Sequence, residues 1–418
     1  MSQDIYAFLQ SVEEAAPRFM GILHSDIIRG KEVFSFTGGD KWLEYKEFRN
    51  LDPDLGAFQG RQYIRDGKPN FGLFLDSAPD RWGRMLIKRR EALIARQEVR
   101  APRTLYETDF LLGVFDGSRM GALRLTLDPE GDFLDNNRGS AIPPWASIQD
   151  LEYASMMLEK EDFDNEADYA KWLNMLVRPG SSLGGARPKA NIADRDGRLW
   201  IAKFPGGTDS KDTGAWEKVV NELAAACGIK TVESIARRFS GKHHTFLSKR
   251  FDRTAEGKRI HFASAMTLLG RQDGADYSSG VSYLDIAGLI IRMGAEVDRN
   301  LEELWRRMVF NIAVSNCDDH LRNHGFLFDP AGWVLSPAFD MNPDENGTGL
   351  KLNISENDNP LDFDLALSVI PYFRLSLKKA ESILDAVKQS VSNWRTIAER
   401  YNLPKRQQDE MEPAFRSV

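Results

Sequence analysis

The chain has 418 residues, which at roughly 100–200 residues per domain predicts two or three domains. Hydrophobic residues at 42% and charged residues at 28% are ordinary globular usage. The 62 acidic and 55 basic side chains leave a net charge of −7, which excludes a surface that is a nucleic-acid sink throughout but not a local basic face.

The N-terminal stretch from Met1 to Met20 carries Asp4, Glu13 and Glu14 and lacks the basic start and apolar run of a signal peptide. No stretch reaches the roughly 18 consecutive apolar residues of a membrane helix. Cys227 and Cys317 are too few for a disulfide framework or a zinc cluster, and both read as small core residues. Among six histidines, His243–His244 and His320/His324 are close pairs, but no cysteine or second acid completes a zinc spacing around the first. The expectation is a cytoplasmic protein with no membrane partner.

The first hundred residues read as mixed α and β, with strand-like runs such as Val33–Thr37 between turn residues. Ser77, Pro79 and Asp80 mark a helix start, followed by Arg84–Ile94. Arg81–Arg103 is the most basic segment, with eight cationic residues against Glu91 and Glu98. It reads as a solvated helix face plus a basic loop, or as a surface for phosphate or an acidic partner. Asp128–Pro144, rich in Asp, Asn, Gly and Pro, predicts a linker or large loop. The block Met175–Asp252 predicts a Gly/Ser loop, two strands joined by Asp194–Gly197, a helix and a further strand. From about Ala263 helical spacing dominates: Leu301, Leu304, Trp305, Met308 and Ile312 form one stripe. Ala380, Ile383, Leu384, Val387, Val391 and Trp394 form another. Both stripes read as core. The predicted organisation is an accessory region over 1–125, a nucleotide lobe over 126–255 and a helical lobe over 256–418.

Chemistry is concentrated around Asp318, which follows an apolar helix pattern with Asp319 beside it. Acids at a helix C-terminus oppose its dipole at a cost of some tenths of a kcal/mol each, so their placement invites a functional reading. Asn323 follows five residues on, the spacing of a kinase catalytic loop. There the Asp takes the substrate hydroxyl proton and the Asn holds magnesium. The strand-like runs Phe326–Phe328 and Trp333–Leu335 then lead to Asp340, placed as a second magnesium ligand. Alone, such spacing reads more readily as a pair of turn residues. The upstream residues add weight. Gly180 to Gly185 is a loop whose backbone N–H groups can approach an anion closely. Lys203 stands in the apolar strand Leu199–Phe204, either at a strand edge or pairing with phosphates. The helix Glu217–Cys227 offers Glu222 as the lysine's ion-pair partner, with Glu217 the competing candidate. Glycine loop, strand lysine, helix glutamate, Asp-x4-Asn and Asp follow one another in kinase order.

Ser182-Leu183-Gly184-Gly185-Ala186-Arg187-Pro188-Lys189, Arg250-Phe251-Asp252-Arg253, Asp318 to Asn323 and Pro337-Ala338-Phe339-Asp340 resemble the HipA family of bacterial serine/threonine kinase toxins. The resemblance covers nearly the whole chain. It implies an α+β fold: a bilobal, protein-kinase-like arrangement with a β-rich N-terminal lobe, an accessory N-terminal subdomain and an all-helical C-terminal lobe. It implies ATP and Mg²⁺ as cofactors, Asp318 as catalytic base, and Asn323 and Asp340 as metal ligands. Lys203 would contact ATP phosphates, as would the Ser182, Leu183, Gly184 and Gly185 loop. Lys249, Arg250 and Phe251 would frame the adenine, with Asp252 and His320 near the ribose. The family's autophosphorylation site matches Ser182, with Ser181 beside it as the alternative. Asn316-Cys317 before the base and Asp340-Met341-Asn342 depart from general kinases while fitting this family. The implied partners are a small helix-turn-helix antitoxin, operator DNA mainly through that antitoxin, and a protein substrate such as an aminoacyl-tRNA synthetase. Any dimer would form through the antitoxin. Two other readings remain: a co-repressor with little kinase activity, and a kinase of a non-protein substrate.

Overall fold

The structure is a computed structural model that describes residues 2–416, apart from 13, 15, 45–50, 66, 135–141, 161–165, 178–184 and 186. Its contacts divide it into two units. Unit 1 comprises Met1–Thr208, Phe239–Lys242 and Leu247–Ala263. Unit 2 comprises Asp209–Arg238, His243–Phe246 and Ser264–Val418.

In unit 1, β1 (Ser2–Leu9), β2 (Arg18–Ile28), β3 (Lys31–Gly38), β4 (Arg61–Tyr63) and β5 (Leu123–Thr126) form a sheet in the order β4-β3-β2-β1-β5. Ile28 pairs with Lys31, so Arg29 and Gly30 alone make the β2–β3 turn. Both take positive φ, 52° and 78°, as a two-residue hairpin that matches strand twist requires. Alternation buries Ile5, Ala7 and Leu9 completely.

Asp80 caps α1 (Arg81–Gln97), accepting from Gly83 N at 2.9 Å. The helix extends further at both ends than the apolar pattern predicts. Much of the basic segment is compensated locally. Arg84 makes two bonds to Glu107, at 2.6 and 2.7 Å, and Arg100 reaches Glu91 and Glu98 at 2.6 Å each. Arg103 reaches Asp109 at 2.7 Å. Arg81, Lys88, Arg90 and Arg96 are left exposed. α1 packs with α2 (Ile148–Lys160) and α3 (Glu166–Val177) around Trp82, Leu86, Leu151 and Leu173. Ile192 and Phe204 join that core from the hairpin of β6 (Lys189–Ala193) and β7 (Leu199–Lys203). The last residues of β8 (Thr245–Lys249) continue beside β7, where Arg250 N donates to Leu199 O at 2.9 Å. The accessory sheet and the β6–β7 hairpin thus lie in one unit.

Unit 2 is mainly helical. α4 (Thr213–Ala226) starts at Asp212, whose side chain accepts from Ala215 N. α5 (Tyr283–Met293), α6 (Val297–Ala313), α7 (Leu377–Val391) and α8 (Trp394–Arg400) follow. α6 packs on α5 and α7, and α4 packs on α7 and α8. Leu301, Leu304, Trp305, Met308 and Ile312 on α6 have no exposed surface. At about 1.5–3 kcal/mol per side chain, that stripe contributes on the order of 10 kcal/mol before chain entropy is subtracted. The expectation of an all-helical lobe needs a correction. The hairpin β9 (Gly325–Asp329) and β10 (Gly332–Leu335) lies within unit 2, where Phe326 of β9 and the alternating Trp333 and Leu335 of β10 are buried.

Candidate active site

The residues read as catalytic and metal-binding all fall in unit 2, and a β-hairpin explains their proximity. α6 ends at Ala313 and the chain then makes successive tight turns. Cys317 N donates to Ser315 O at 2.9 Å, His320 N to Asp318 O at 2.9 Å, and Asn323 N to His320 O at 2.8 Å. Asp318 therefore sits in this turn, five residues beyond the helix end, and not at the helix terminus itself. β9 leaves directly after His324, and β10 returns in register, with Phe326 opposite Leu335. Ser336 N closes the open end by donating to Gly325 O at 2.9 Å. Asn323 and Asp340 thus lie on the two arms that leave one hairpin end. Two bonds join the arms further: Asn342 N donates to Asn316 Oδ1 at 3.3 Å, and Asp344 N to Ser315 O at 3.1 Å.

The two adjacent acids have opposite environments. Asp318 is exposed. Asp319 is buried, and its Oδ2 accepts from Tyr283 OH at 2.5 Å, Asn311 Nδ2 at 2.7 Å and His324 Nε2 at 2.8 Å. Burial pushes the Asp319 carboxyl up, but His324 and the Tyr283 hydroxyl outweigh it and hold the carboxyl below its usual range. The same burial and the neighbouring carboxylate raise the Tyr283 phenol well above its ordinary value. Asp319 thus anchors the turn that presents Asp318. Neither Asp319 nor its three partners was assigned a role from the sequence. The signal available was the Asp318–Asp319 doublet with His324 directly after Asn323.

Asn323 is also buried. Its Nδ2 donates to Asp318 O at 3.2 Å, while its Oδ1 is enclosed with no hydrogen-bond partner among the described residues. A buried acceptor left unpaired costs about 1–3 kcal/mol, so this oxygen suits a cation. Asp340 takes φ of 58°, a left-handed conformation rare for a residue with a Cβ and common at functional sites. One amide oxygen and one carboxylate fit magnesium, which takes one or two carboxylates plus phosphate and water oxygens. Among the described residues no group of three or more His, Cys, Asp or Glu side chains gathers as a protein-only metal cage. His320 is half-buried, with its Nδ1 enclosed and without a hydrogen-bond partner among the described residues.

On α4 the two candidate glutamates separate. Glu222 is taken by Arg400 Nη2 at 2.7 Å, by Lys218 at 3.5 Å and by the Tyr401 hydroxyl. Glu217 is buried. Because Glu222 is committed to this cluster, it fits a lysine-pairing role less well than Glu217.

Unit 1 holds the remaining candidates. Lys203 ends β7 half-buried, directly opposite Lys189 of β6. Lys189, the last residue of the glycine-loop motif, is fully buried and donates to Asp80 Oδ2 at 2.7 Å, while Lys189 O accepts from Trp82 Nε1 at 3.0 Å. This motif lysine is an internal strut. Lys249 lies 5.9 Å from the Trp200 ring centre, and the Phe251 ring lies 6.0 Å from that of Phe262. Gly185 takes φ of 57°. Ser181, Ser182, Leu183 and Gly184 lie outside the described residues. Asp252 departs from expectation. It has no exposed surface, and Arg250 Nε (2.8 Å), Arg250 Nη2 (2.6 Å), Arg253 Nη1 (2.7 Å) and Gly121 N (2.8 Å) occupy its oxygens. A carboxylate enclosed in this way, with no exposed surface, is not open to a ribose. Arg250 also donates to Ser118 O and Asn191 Oδ1, at 2.5 and 2.9 Å.

Residues 181–394, just over half of the chain, match the HipA-like C-terminal domain, and the chain belongs to that family. A Sinorhizobium fredii protein named "Putative kinase Y4mE" is 29% identical over 181 residues, covering 38% of this chain and 41% of that protein. A Haemophilus influenzae protein named "Putative kinase" is 24% identical over 215 residues, covering 46% of this chain and 62% of that protein. The chain therefore spans less than two thirds of the length of these curated relatives. The solved Shewanella oneidensis complex of HipA, HipB and operator DNA contains a chain that superposes with a TM-score of 0.66 at 16% identity. That match covers 98% of this chain and 94% of the solved one, and it shows that the fold is HipA-like. Among the described residues, no helix is long and apolar enough to cross a membrane.

Proposed function

We propose that this chain is an ATP- and Mg²⁺-dependent serine/threonine protein kinase that acts as the toxin of a toxin–antitoxin pair. The carrying observation is the division within the Asp318–Asp319 doublet: one acid is buried under three donors, and its neighbour is presented to solvent. A general base must reach the hydroxyl it deprotonates, and its support must not move. Asp318 accepts the substrate proton. Asn323 Oδ1 and Asp340 hold Mg²⁺, which when bound neutralises charge on the nucleotide phosphates. Lys203 contacts those phosphates, and Lys249 to Phe251 frame the adenine. His320 lies near the ribose.

Family membership supports regulation by phosphorylation of Ser182 or Ser181. A phosphate there adds nearly two negative charges to the loop that receives ATP, so inhibition follows from like-charge repulsion. The solved Shewanella complex holds HipB and operator DNA, which supports a helix-turn-helix antitoxin as partner here, with DNA contacted mainly through it. A translation component such as an aminoacyl-tRNA synthetase is the proposed substrate.

The test is transfer of labelled γ-phosphate from ATP to a serine-containing protein, with and without Mg²⁺. Asp318→Asn lowers transfer by roughly a hundredfold or more, the scale of a lost general base. Equal transfer by parent and variant overturns the base assignment.

A further inference from the structure

Ser315 stands three residues before Asp318 with φ of 49° and no exposed surface. A residue with a Cβ in that region costs about 1–3 kcal/mol and persists only where its surroundings over-determine it. Here the surroundings come from two separate parts of unit 2. Ser315 Oγ donates to Ala414 O at 2.9 Å and accepts from Arg416 Nε at 3.3 Å. Ser315 O accepts from Asp344 N at 3.1 Å. Arg416 N donates to Ala313 O at 2.7 Å, satisfying an end carbonyl of α6. The segment that supplies these bonds is itself pinned. The Phe415 ring stacks on Trp394 with centres 4.4 Å apart and planes 10° from parallel, and it lies 6.0 Å from Trp216. On the other side, a Cβ at Gly347 would collide with Cys317 Sγ, so the 344–347 turn presses directly on the residue before Asp318.

We infer that Glu412–Arg416 is a clasp that fixes Ser315 and thereby positions both Asp318 and the arm that carries Asp340. Ser315, Phe415 and Arg416 are positioning residues: none is placed to touch substrate, and each acts through the backbone of the turn. The consequence for catalysis rests on the kinase reading, whereas the consequence for backbone protection does not.

The experiment compares Ser315→Ala, Arg416→Ala and Phe415→Ala with the parent chain, by amide hydrogen exchange and by steady-state phosphotransfer kinetics. Exchange at residues 314–320 and 341–347 rises by about tenfold or more, while α5 is unchanged, as for a local opening. In the same variants kcat falls roughly ten- to a hundredfold with KM for ATP nearly unchanged, since small misplacements of a reacting group carry costs of that size. Arg416→Lys and Phe415→Tyr restore most of both. Unchanged exchange in the folded variants overturns the clasp, and so does raised exchange with kcat intact. If Phe415→Ala fails to fold, Ser315→Ala and Arg416→Ala decide. A parent that transfers no phosphate overturns the kinase reading instead, and exchange alone then decides the clasp.

Discussion

A carboxylate with no exposed surface needs every oxygen engaged, and Asp252 meets this with four donors. Burial alone would push its carboxyl up. The charges of Arg250 and Arg253 reverse the balance and hold it far below the usual range. The same burial lowers the Arg253 guanidinium to about 9 and the Arg259 guanidinium to about 10. Removing the shared anion therefore leaves enclosed cations facing one another. Asp252→Ala is expected to lower the unfolding free energy by about 3–5 kcal/mol in urea titrations at neutral pH. Because the folded carboxyl is depressed, its contribution is fully present above the ordinary aspartate value of about 4. It is lost as pH falls through the folded value, so parent and variant converge in acid. A loss under about 1 kcal/mol at neutral pH would mean that the arginines find other acceptors. The sequence places Arg250-Phe251-Asp252-Arg253 as a motif, but the Gly121 and Ser118 contacts come from more than 120 residues away, which no local pattern shows.

The turn between α6 and β9 is where local spacing and tertiary contacts meet. Asp318 and Asn323 are visible as a spacing, and the β9–β10 hairpin is visible as two strand-like runs around the Asp329–Gly332 turn. What holds the turn is not visible, because Tyr283 and Asn311 reach Asp319 from two different helices. Asp319→Asn keeps the shape of the side chain and removes the charge that draws three donors together. The expected result is a folded protein whose kcat falls about tenfold or more while KM for ATP changes little, the pattern of a lost transition-state arrangement. Acid should act in the same direction. The Asp319 carboxyl lies below its usual range, so its hold on the turn is complete above that range and is lost as pH drops beneath it. The variant should therefore show a weaker loss of activity on the acidic side than the parent. An identical acid limb in both would assign that limb to another group.

Across the molecule, the features legible in the sequence were those carried by one segment: helical stripes, strand alternation and the order of the site residues. The division of roles between similar residues was not legible. Lys189 and Lys203 stand in one motif region and face each other across two strands, yet the first is a buried strut. Glu217 and Glu222 share one helix, yet the second is bound to Arg400 and Tyr401. Burial and partner choice decide such cases, and they depend on residues far along the chain. Cofactor binding offers a readout of the whole molecule, because a ligand that binds only the folded state stabilises it by mass action. At free ATP–Mg²⁺ about 100 times Kd, the gain is about 2.7 kcal/mol, which should raise the thermal midpoint by a few degrees. Asp340→Asn weakens one metal ligand and should remove the Mg²⁺-dependent part of that rise while leaving the ligand-free midpoint close to the parent's. Asp318→Asn alters the base and neither proposed metal ligand, so it should keep the rise while losing phosphotransfer. Scanning calorimetry of the three proteins with ATP alone and with ATP plus Mg²⁺ separates these outcomes. A full Mg²⁺-dependent rise in Asp340→Asn would remove Asp340 from the metal site, and its loss in Asp318→Asn would move the metal onto the residue assigned as base.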